Sequence, residues 1–371
     1  MLRTFTALLC FSHLRWDFVF QRPQHVISRF GREQPAFFWE EPEPTDRQAF
    51  LESRTDDNVT VLKPRLPSHL TREEQAISQR RLLDAFISEH AIDDALLWYY
   101  TPMALEFTRH LHGLCVYDCM DELSMFKGAP PSLTSNERDL LARADVVFTG
   151  GRSLYYSKRR AHGNVHCFPS AVEAQHFAKR GNEEPDDMRA LKHPRIGFYG
   201  VIDERFDLEF VRELALELDD WQLVFLGPVV KIDPTQLPQA ANIHYLGMKT
   251  YAELPAYLEH WDVALLPFAQ NDATRFISPT KTLEYLAARR PVISTPIADV
   301  VDPYGTEGIV MIAETPQAAA SAARLALHDG LSQLWHTRVD ELLASISWDR
   351  TVSEMRARIA QVSRREVEVA G

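Results

Sequence analysis

The sequence predicts an α/β protein made of two parallel-sheet units. Three observations carry this. Short apolar runs alternate with amphipathic stretches along the chain, one polar break interrupts that rhythm near the middle, and the rhythm then restarts with similar spacing. A length of 371 residues suits two domains of about 100–200 residues each. A hydrophobic share of 45% and a charged share of 25% are enough for two ordinary cores.

In the first half, strands are expected at 4–11, 36–39, 59–62, 96–100, 114–117, 146–149 and 165–168. Helical patterns fall between them at 73–91, where Ile77, Leu82, Leu83, Phe86 and Ile87 share a face, and at 135–144 around Leu140 and Leu141. Residues 180–193, RGNEEPDDMRALKH, are polar, contain a glycine and a proline and show no apolar period, so they read as a linker. Strands resume at 195–199, 223–226, 243–246, 263–267, 292–294 and 308–312, with helices at 208–218, 251–260, 280–289 and 316–328. A last amphipathic helix is expected at 351–367. The expected domains are therefore 1–179, a linker at 180–193, 194–347, and a C-terminal helix in 348–371. A cleft where two such units meet is the natural place for a ligand.

A net charge of −12 argues against a nucleic-acid partner, which needs a basic face. Cys10, Cys115, Cys119 and Cys167 form no CxxC pair and have no histidine at zinc spacing. Buried reduced thiols and a cytoplasmic setting follow from that. Arg3 precedes an apolar run at 5–11, but the run is short and His13, Arg15 and Asp17 follow it without a cleavage site, so a first strand is expected rather than a signal peptide. No apolar run approaches the roughly 18 residues of a bilayer span. There is no GxGxxG, GxxxxGK[ST], GxSxG or HExxH, which weighs against the commonest nicotinamide, NTPase, hydrolase and metalloprotease chemistries.

The most informative stretch runs from Ser278 to Ala287, SPTKTLEYLA, followed by RPVISTP at 290–296. Pro279 sets a first helical turn, leaving the N–H groups of Thr280, Lys281 and Thr282 to meet an anion. Lys281 and Glu284 lie three apart on one face, a cation for phosphate beside a carboxylate for hydroxyls. An exposed Lys–Glu pair on a surface helix is the alternative. Two polar loops follow strand ends in the first half. One holds His13, Asp17, Arg22, Gln24 and His25, part of whose polarity belongs to helix capping. The other, Asp118-Cys-Met-Asp-Glu122, carries the carboxylates Asp118, Asp121 and Glu122, for which a metal site is the competing reading.

The segment SPTKTLEYLAARRPVISTP resembles the donor-binding segment of the retaining GT-B glycosyltransferases that build bacterial envelope polysaccharides. Further pieces agree in order. They are HCFPSAVE at 166–173 with Phe177, RIGFYG at 195–200, NIHYLG at 242–247 and DVALLP at 262–267. The N-terminal FSHLRWDFVFQRPQH, 11–25, is similar to a teichuronic-acid-type subgroup. Ser170, Ala171 and Glu173 depart from the family's interdomain letters. Phe276 stands where the family often has the first of two glutamates, the second matching Glu284.

The resemblance implies two Rossmann-like α/β/α domains with an interdomain cleft, and a C-terminal helix crossing back to the first domain. It implies hexosyl transfer with retention from a UDP- or GDP-linked donor to a saccharide or lipid-linked acceptor, with no metal and no other cofactor. Donor-site expectations are Gly200, Asp203, Arg205, Gly247, Asp272, Ser278, Thr280, Lys281, Thr282 and Glu284. Arg205 and Lys281 would face the diphosphate, although Arg205 alternatively pairs with Asp203 or Asp207. Asp118, Asp121 or Glu122 would orient acceptor or sugar, and His13, Arg22, Gln24 and His25 would bind the acceptor. Lys158, Arg159 and Arg160 beside Tyr155 and Tyr156 are candidates for peripheral membrane contact, against a solvated helix face. The rival functions are a nucleotide-sugar epimerase of the same architecture and a non-catalytic sugar-nucleotide-binding protein.

Overall fold

A computed structural model describes residues 5–370 and, in the last helix, side chains as far as Ser363. Arg3 and Thr4, part of the N-terminal reading, lie outside the described residues. The chain divides into two compact units, Met1–Pro169 with Asp349–Gly371, and Ser170–Trp348.

Among the described residues, the first unit is built on a nine-stranded sheet. Its strands are β1 (Ala7–Phe11), β2 (Ala36–Trp39), β3 (Glu43–Thr45), β4 (Phe50–Asp56), β5 (Val59–Pro67), β6 (Ala95–Tyr99), β7 (Gly113–Cys119), β8 (Val146–Thr149) and β9 (Val165–Cys167). They lie in the order β3-β5-β2-β1-β6-β7-β8-β9, with β4 pairing antiparallel to β5 and the other pairs parallel. Strands β1, β6 and β8 are buried throughout, as expected for parallel strands covered on both faces. The β4–β5 hairpin was not foreseen. Its first strand, FLESRTD, is almost wholly exposed and polar, so it carries no apolar signature. Asp57, at φ +52°, takes the left-handed turn conformation that aspartate tolerates better than most residues.

The second unit is a parallel sheet of six strands among the described residues, β10 (Arg195–Tyr199), β11 (Gln222–Leu226), β12 (Ile243–Tyr245), β13 (Val263–Leu266), β14 (Val292–Ser294) and β15 (Met311–Ile312). The order β12-β11-β10-β13-β14-β15 reverses direction between β10 and β13. That reversal is where ligands meet doubly wound sheets. In the first unit the corresponding reversal lies between β1 and β6.

Residues 180–193 are not a free linker. Met188 is fully buried in the second core, Asp187 accepts from Tyr257 Oη at 2.7 Å and Lys249 Nζ at 2.6 Å, and Glu259 accepts from the N–H groups of Gly181 and Asn182. The polar letters are spent on specific partners, which composition alone does not reveal. Residues 170–179, expected in the first domain, also lie with the second unit.

The last helix, Trp348–Ala370, packs on the first unit from Asp349 onward. It buries Val352, Met355 and Ile359. Asp349 accepts from Arg29 Nε at 2.7 Å, and the Arg356 guanidinium sits 4.8 Å from the Phe30 ring centroid. A helix outside the expected set, Gln333–Ser345, precedes it.

Candidate functional site

In the second unit, two loops leave the reversal point and are tied together. The first follows β10 and the second follows β13. Asp207 N–H donates to the Pro267 carbonyl and Ala269 N–H to the Arg205 carbonyl, both at 2.8 Å, and Phe206 bridges Phe268. At the head of the first loop, Gly200 has φ +144°. A Cβ there would lie 2.2 Å from Lys281 Cε, and one on Gly227 would lie 1.9 Å from the Gly200 carbonyl oxygen. Only glycine at both positions lets two backbone turns and the Lys281 stem approach this closely. The Lys281 ammonium is thereby laid against the Gly200 turn, 6.0 Å from the Phe198 ring centroid.

The helix bearing Lys281 is Lys281–Ala287, shorter than expected. Its first turn is tight. Thr282 N–H donates to the Pro279 carbonyl at 3.3 Å, so it is not left for an anion as the proline pattern suggested. Thr280 caps the helix in αR conformation without a side-chain bond. The Thr282 hydroxyl, on a residue 1% exposed, has no hydrogen-bond partner.

Glu284 is buried rather than presented to solvent, at 6% exposure. The Tyr199 hydroxyl donates to its Oε2, and Tyr199 N–H donates to Tyr285 Oη at 3.0 Å. Burial raises the Glu284 pKa, opposed by the Tyr199 hydrogen bond and by Lys281, with Glu173 adding to the rise. Burial pushes the Tyr199 phenol well above its ordinary value, so it stays protonated and donates. Sequence reasoning did not single out Tyr199. Its signal was available, since it is the last strand residue before the glycine turn.

Arg205 meets Asp203, one of its two expected carboxylate partners. It forks onto Asp203, Nε to Oδ1 at 2.9 Å and Nη2 to Oδ2 at 2.8 Å. Asp203 is 3% exposed, so its carboxylate is committed to that pair rather than to a sugar hydroxyl. Gly247, at φ +73°, lends its carbonyl to Gly227 N–H at 2.8 Å. Asp272 is exposed on the loop after β13, and Ser278 is half-buried. Phe276 is half-buried under the Arg275 guanidinium, 5.3 Å from its ring centroid.

In the first unit the expected acceptor and catalytic residues are mostly structural. Arg22 and Asp118 are 1% and 0% exposed and bind each other, Nη2 to Oδ1 at 2.8 Å, while Arg22 Nη1 donates to the Phe168 carbonyl at 2.7 Å. A desolvated guanidinium requires a carboxylate, and both are used up. Gln24 completes a capping box with Gln21 and donates to the Trp16 carbonyl at 2.7 Å. His25 is buried edge-on against Phe20. Glu122 accepts from Lys158 Nζ at 2.7 Å, and Glu137 accepts from the same nitrogen at 2.7 Å. Burial pulls the Lys158 pKa down, but Cys119, Glu137 and Glu122 together raise it, so the ammonium stays charged inside the unit. Lys158 is therefore not a surface cation for a membrane, whereas Arg159 lies over the Tyr155 and Tyr156 rings. His13 and Asp121 remain half-buried in their loops. No group of three or more His, Cys, Asp or Glu among the described residues is placed to hold a metal ion, and no described helix is long and apolar enough to cross a membrane.

Residues 193–329 match the family model of the group 1 glycosyl transferases. The matched segment contains the Gly200 turn, Arg205, Lys281 and Glu284. TuaH of Bacillus subtilis (strain 168), a candidate teichuronic acid biosynthesis glycosyltransferase, is 27% identical over 223 residues, 54% of this chain and 55% of that protein. The chain thus spans about half the length of the curated relative it matches. Among solved structures, an E. coli trehalose-6-phosphate structure bound with UDP-2-fluoro glucose gives a TM-score of 0.69 at 13% identity, over 96% of this chain and 99% of that one. Sucrose-phosphate synthase from Thermosynechococcus elongatus gives 0.69 at 13% identity, over 99% and 100%. At these identities the likeness is one of fold, the GT-B fold with its two sheet domains.

Proposed function

We propose that the chain is a glycosyltransferase that moves a hexose, with retained anomeric configuration, from a UDP- or GDP-linked donor to a saccharide or lipid-linked acceptor in cell-surface polysaccharide synthesis. The single observation that carries this reading is the Lys281 ammonium laid against the Gly200 turn at the sheet reversal of the group 1 segment. Negative charge grows on the leaving diphosphate as the glycosidic bond breaks, and a cation fixed beforehand on a rigid turn stabilises it without reorganising. Arg205, on the loop after β10 and held by Asp203, is the second cation of the site. The unpartnered Thr282 hydroxyl gains a phosphate or ribose oxygen as acceptor, relieving a cost of about 1–3 kcal/mol. Glu284 accepts from a ribose or sugar hydroxyl alongside Tyr199. With Phe276 in place of a carboxylate, donor-sugar contacts fall to backbone groups and Asp272. Charge neutralisation by these side chains requires no metal and no other cofactor.

Two measurements test the reading. A thermal-shift panel of nucleoside diphosphates and nucleotide sugars should show stabilisation by UDP or GDP species. Proton NMR of a reaction with donor and oligosaccharide acceptor should show a new glycosidic anomeric proton of the donor's configuration. Epimerised donor without an acceptor, or binding with no turnover on any acceptor, would contradict transfer.

A further inference from the structure

The loop between β13 and the Lys281 helix carries a cation that the donor reading leaves unused. The loop is held rigidly. Asn271 N–H donates to Thr274 Oγ1 at 3.0 Å, and Thr274 N–H donates back to Asn271 Oδ1 at 3.1 Å. Asn271 Nδ2 also donates to the Glu204 carbonyl at 2.8 Å, which ties this loop to the one after β10. Ala273, Thr274 and Ile277 are buried anchors, and Arg275 stands exposed between them.

Among the described residues Arg275 makes no ion pair. Its contact is with the Phe276 ring, whose centroid lies 5.3 Å from the guanidinium carbon. Asp272, the carboxylate nearest to it in the chain, is exposed and not paired with it. Other arginines of this unit are neutralised, Arg195 by Glu184, Arg205 by Asp203 and Arg289 by Asp340. A guanidinium held over an aromatic face keeps its N–H edge for a ligand.

The covalent order of a nucleotide sugar decides which part of the donor meets Arg275. With ribose at Glu284 and the diphosphate at Lys281, the sugar beyond the second phosphate runs toward the residues before Lys281, from Arg275 to Ser278. A neutral hexose there finds an aromatic ring where a carboxylate would accept its hydroxyls, and beside it a side chain that only donates. A carboxylate on the sugar fits this arrangement. Guanidinium and carboxylate match in a two-point, charge-assisted bond, while the Phe276 ring covers the apolar face of the sugar. Asp272 and the backbone remain for ring hydroxyls.

We propose that Arg275 is a specificity-determining residue and that the transferred hexose is a uronic acid, oxidised to a carboxylate at C6. This rests on the transferase reading and names the class of sugar it transfers.

Titration calorimetry on the full chain tests it with UDP, GDP and three donor pairs that differ only at C6. The pairs are UDP-glucose and UDP-glucuronate, UDP-galactose and UDP-galacturonate, and GDP-mannose and GDP-mannuronate. In at least one pair the acid should bind about tenfold or more tightly than its neutral partner. Arg275→Ala, at an exposed position, should bring that pair to within about twofold of each other, with free-nucleotide affinity changed less than about twofold. Arg275→Glu should reverse the preference. A wild type that gains nothing from the carboxylate in any pair overturns the proposal, and so does a preference that survives Arg275→Ala. Equal weakening of free nucleotide and acid donor by Arg275→Ala also overturns it, because the guanidinium would then serve the diphosphate. A protein that binds neither UDP nor GDP contradicts the transferase reading itself, and this proposal with it.

Discussion

Replacing Glu284 by glutamine removes a charge from a site 6% exposed, yet keeps an oxygen to which the Tyr199 hydroxyl can donate. Burial is the largest influence on this carboxyl and raises its pKa. A group whose folded pKa is raised contributes stability below its unfolded value, about 4.3 for glutamate, and loses that stability as pH rises through the folded value. The wild type should therefore lose stability relative to Glu284→Gln as pH climbs from about 4, and the difference should level off once the buried carboxyl is ionised. Function should move the other way. A hydrogen bond to a charged acceptor contributes about 1.5–3 kcal/mol, so kcat/KM should fall roughly ten- to a few-hundred-fold. Glu284→Ala should lose activity similarly, but it also leaves the buried Tyr199 hydroxyl without its partner, at about 1–3 kcal/mol of stability. Urea unfolding from about pH 4 to 8, with turnover measured on the same samples, separates these effects. Parallel stability curves for wild type and Glu284→Gln, with unchanged turnover, would refute the reasoning.

Lys281→Ala should lower kcat by about 10²–10³-fold, with a smaller effect on nucleotide affinity, because its charge is matched to the transition state; steady-state kinetics decide. Gly200→Ala should both strain the φ +144° turn and displace the Lys281 stem, so activity and melting temperature should fall together. Arg22→Leu leaves Asp118 buried and unpaired and should destabilise the first unit by about 3–5 kcal/mol, measured by denaturant unfolding, whereas a surface acceptor residue would cost almost nothing. EDTA should leave turnover unchanged if side-chain cations alone meet the diphosphate.

Most of the sheet was readable because parallel strands buried on both faces leave continuous apolar runs. Ala36–Trp39, Val146–Thr149, Arg195–Tyr199 and Val292–Ser294 fall where the pattern put them. The β4–β5 hairpin and the packed segment 180–193 were not readable, since their stability comes from long-range pairings that leave polar letters in the sequence. The site divides along the same line. The Gly200 turn and Lys281 are local features of backbone chemistry, and the sequence exposes them. Whether Arg22, Asp118, Gln24 and Glu122 serve a ligand or the core depends on which distant residue each meets. Arg22 meets Asp118 across 96 positions and Lys158 meets Glu122 across 36, distances no spacing rule spans.

Hydrogen–deuterium exchange of the full chain, with and without saturating UDP, tests the central claim most directly. The account predicts that UDP slows exchange in peptides covering 197–207 and 276–288, the Gly200 turn and the Lys281 segment. Protection confined to peptides of 5–169, with those two segments unchanged, would contradict it.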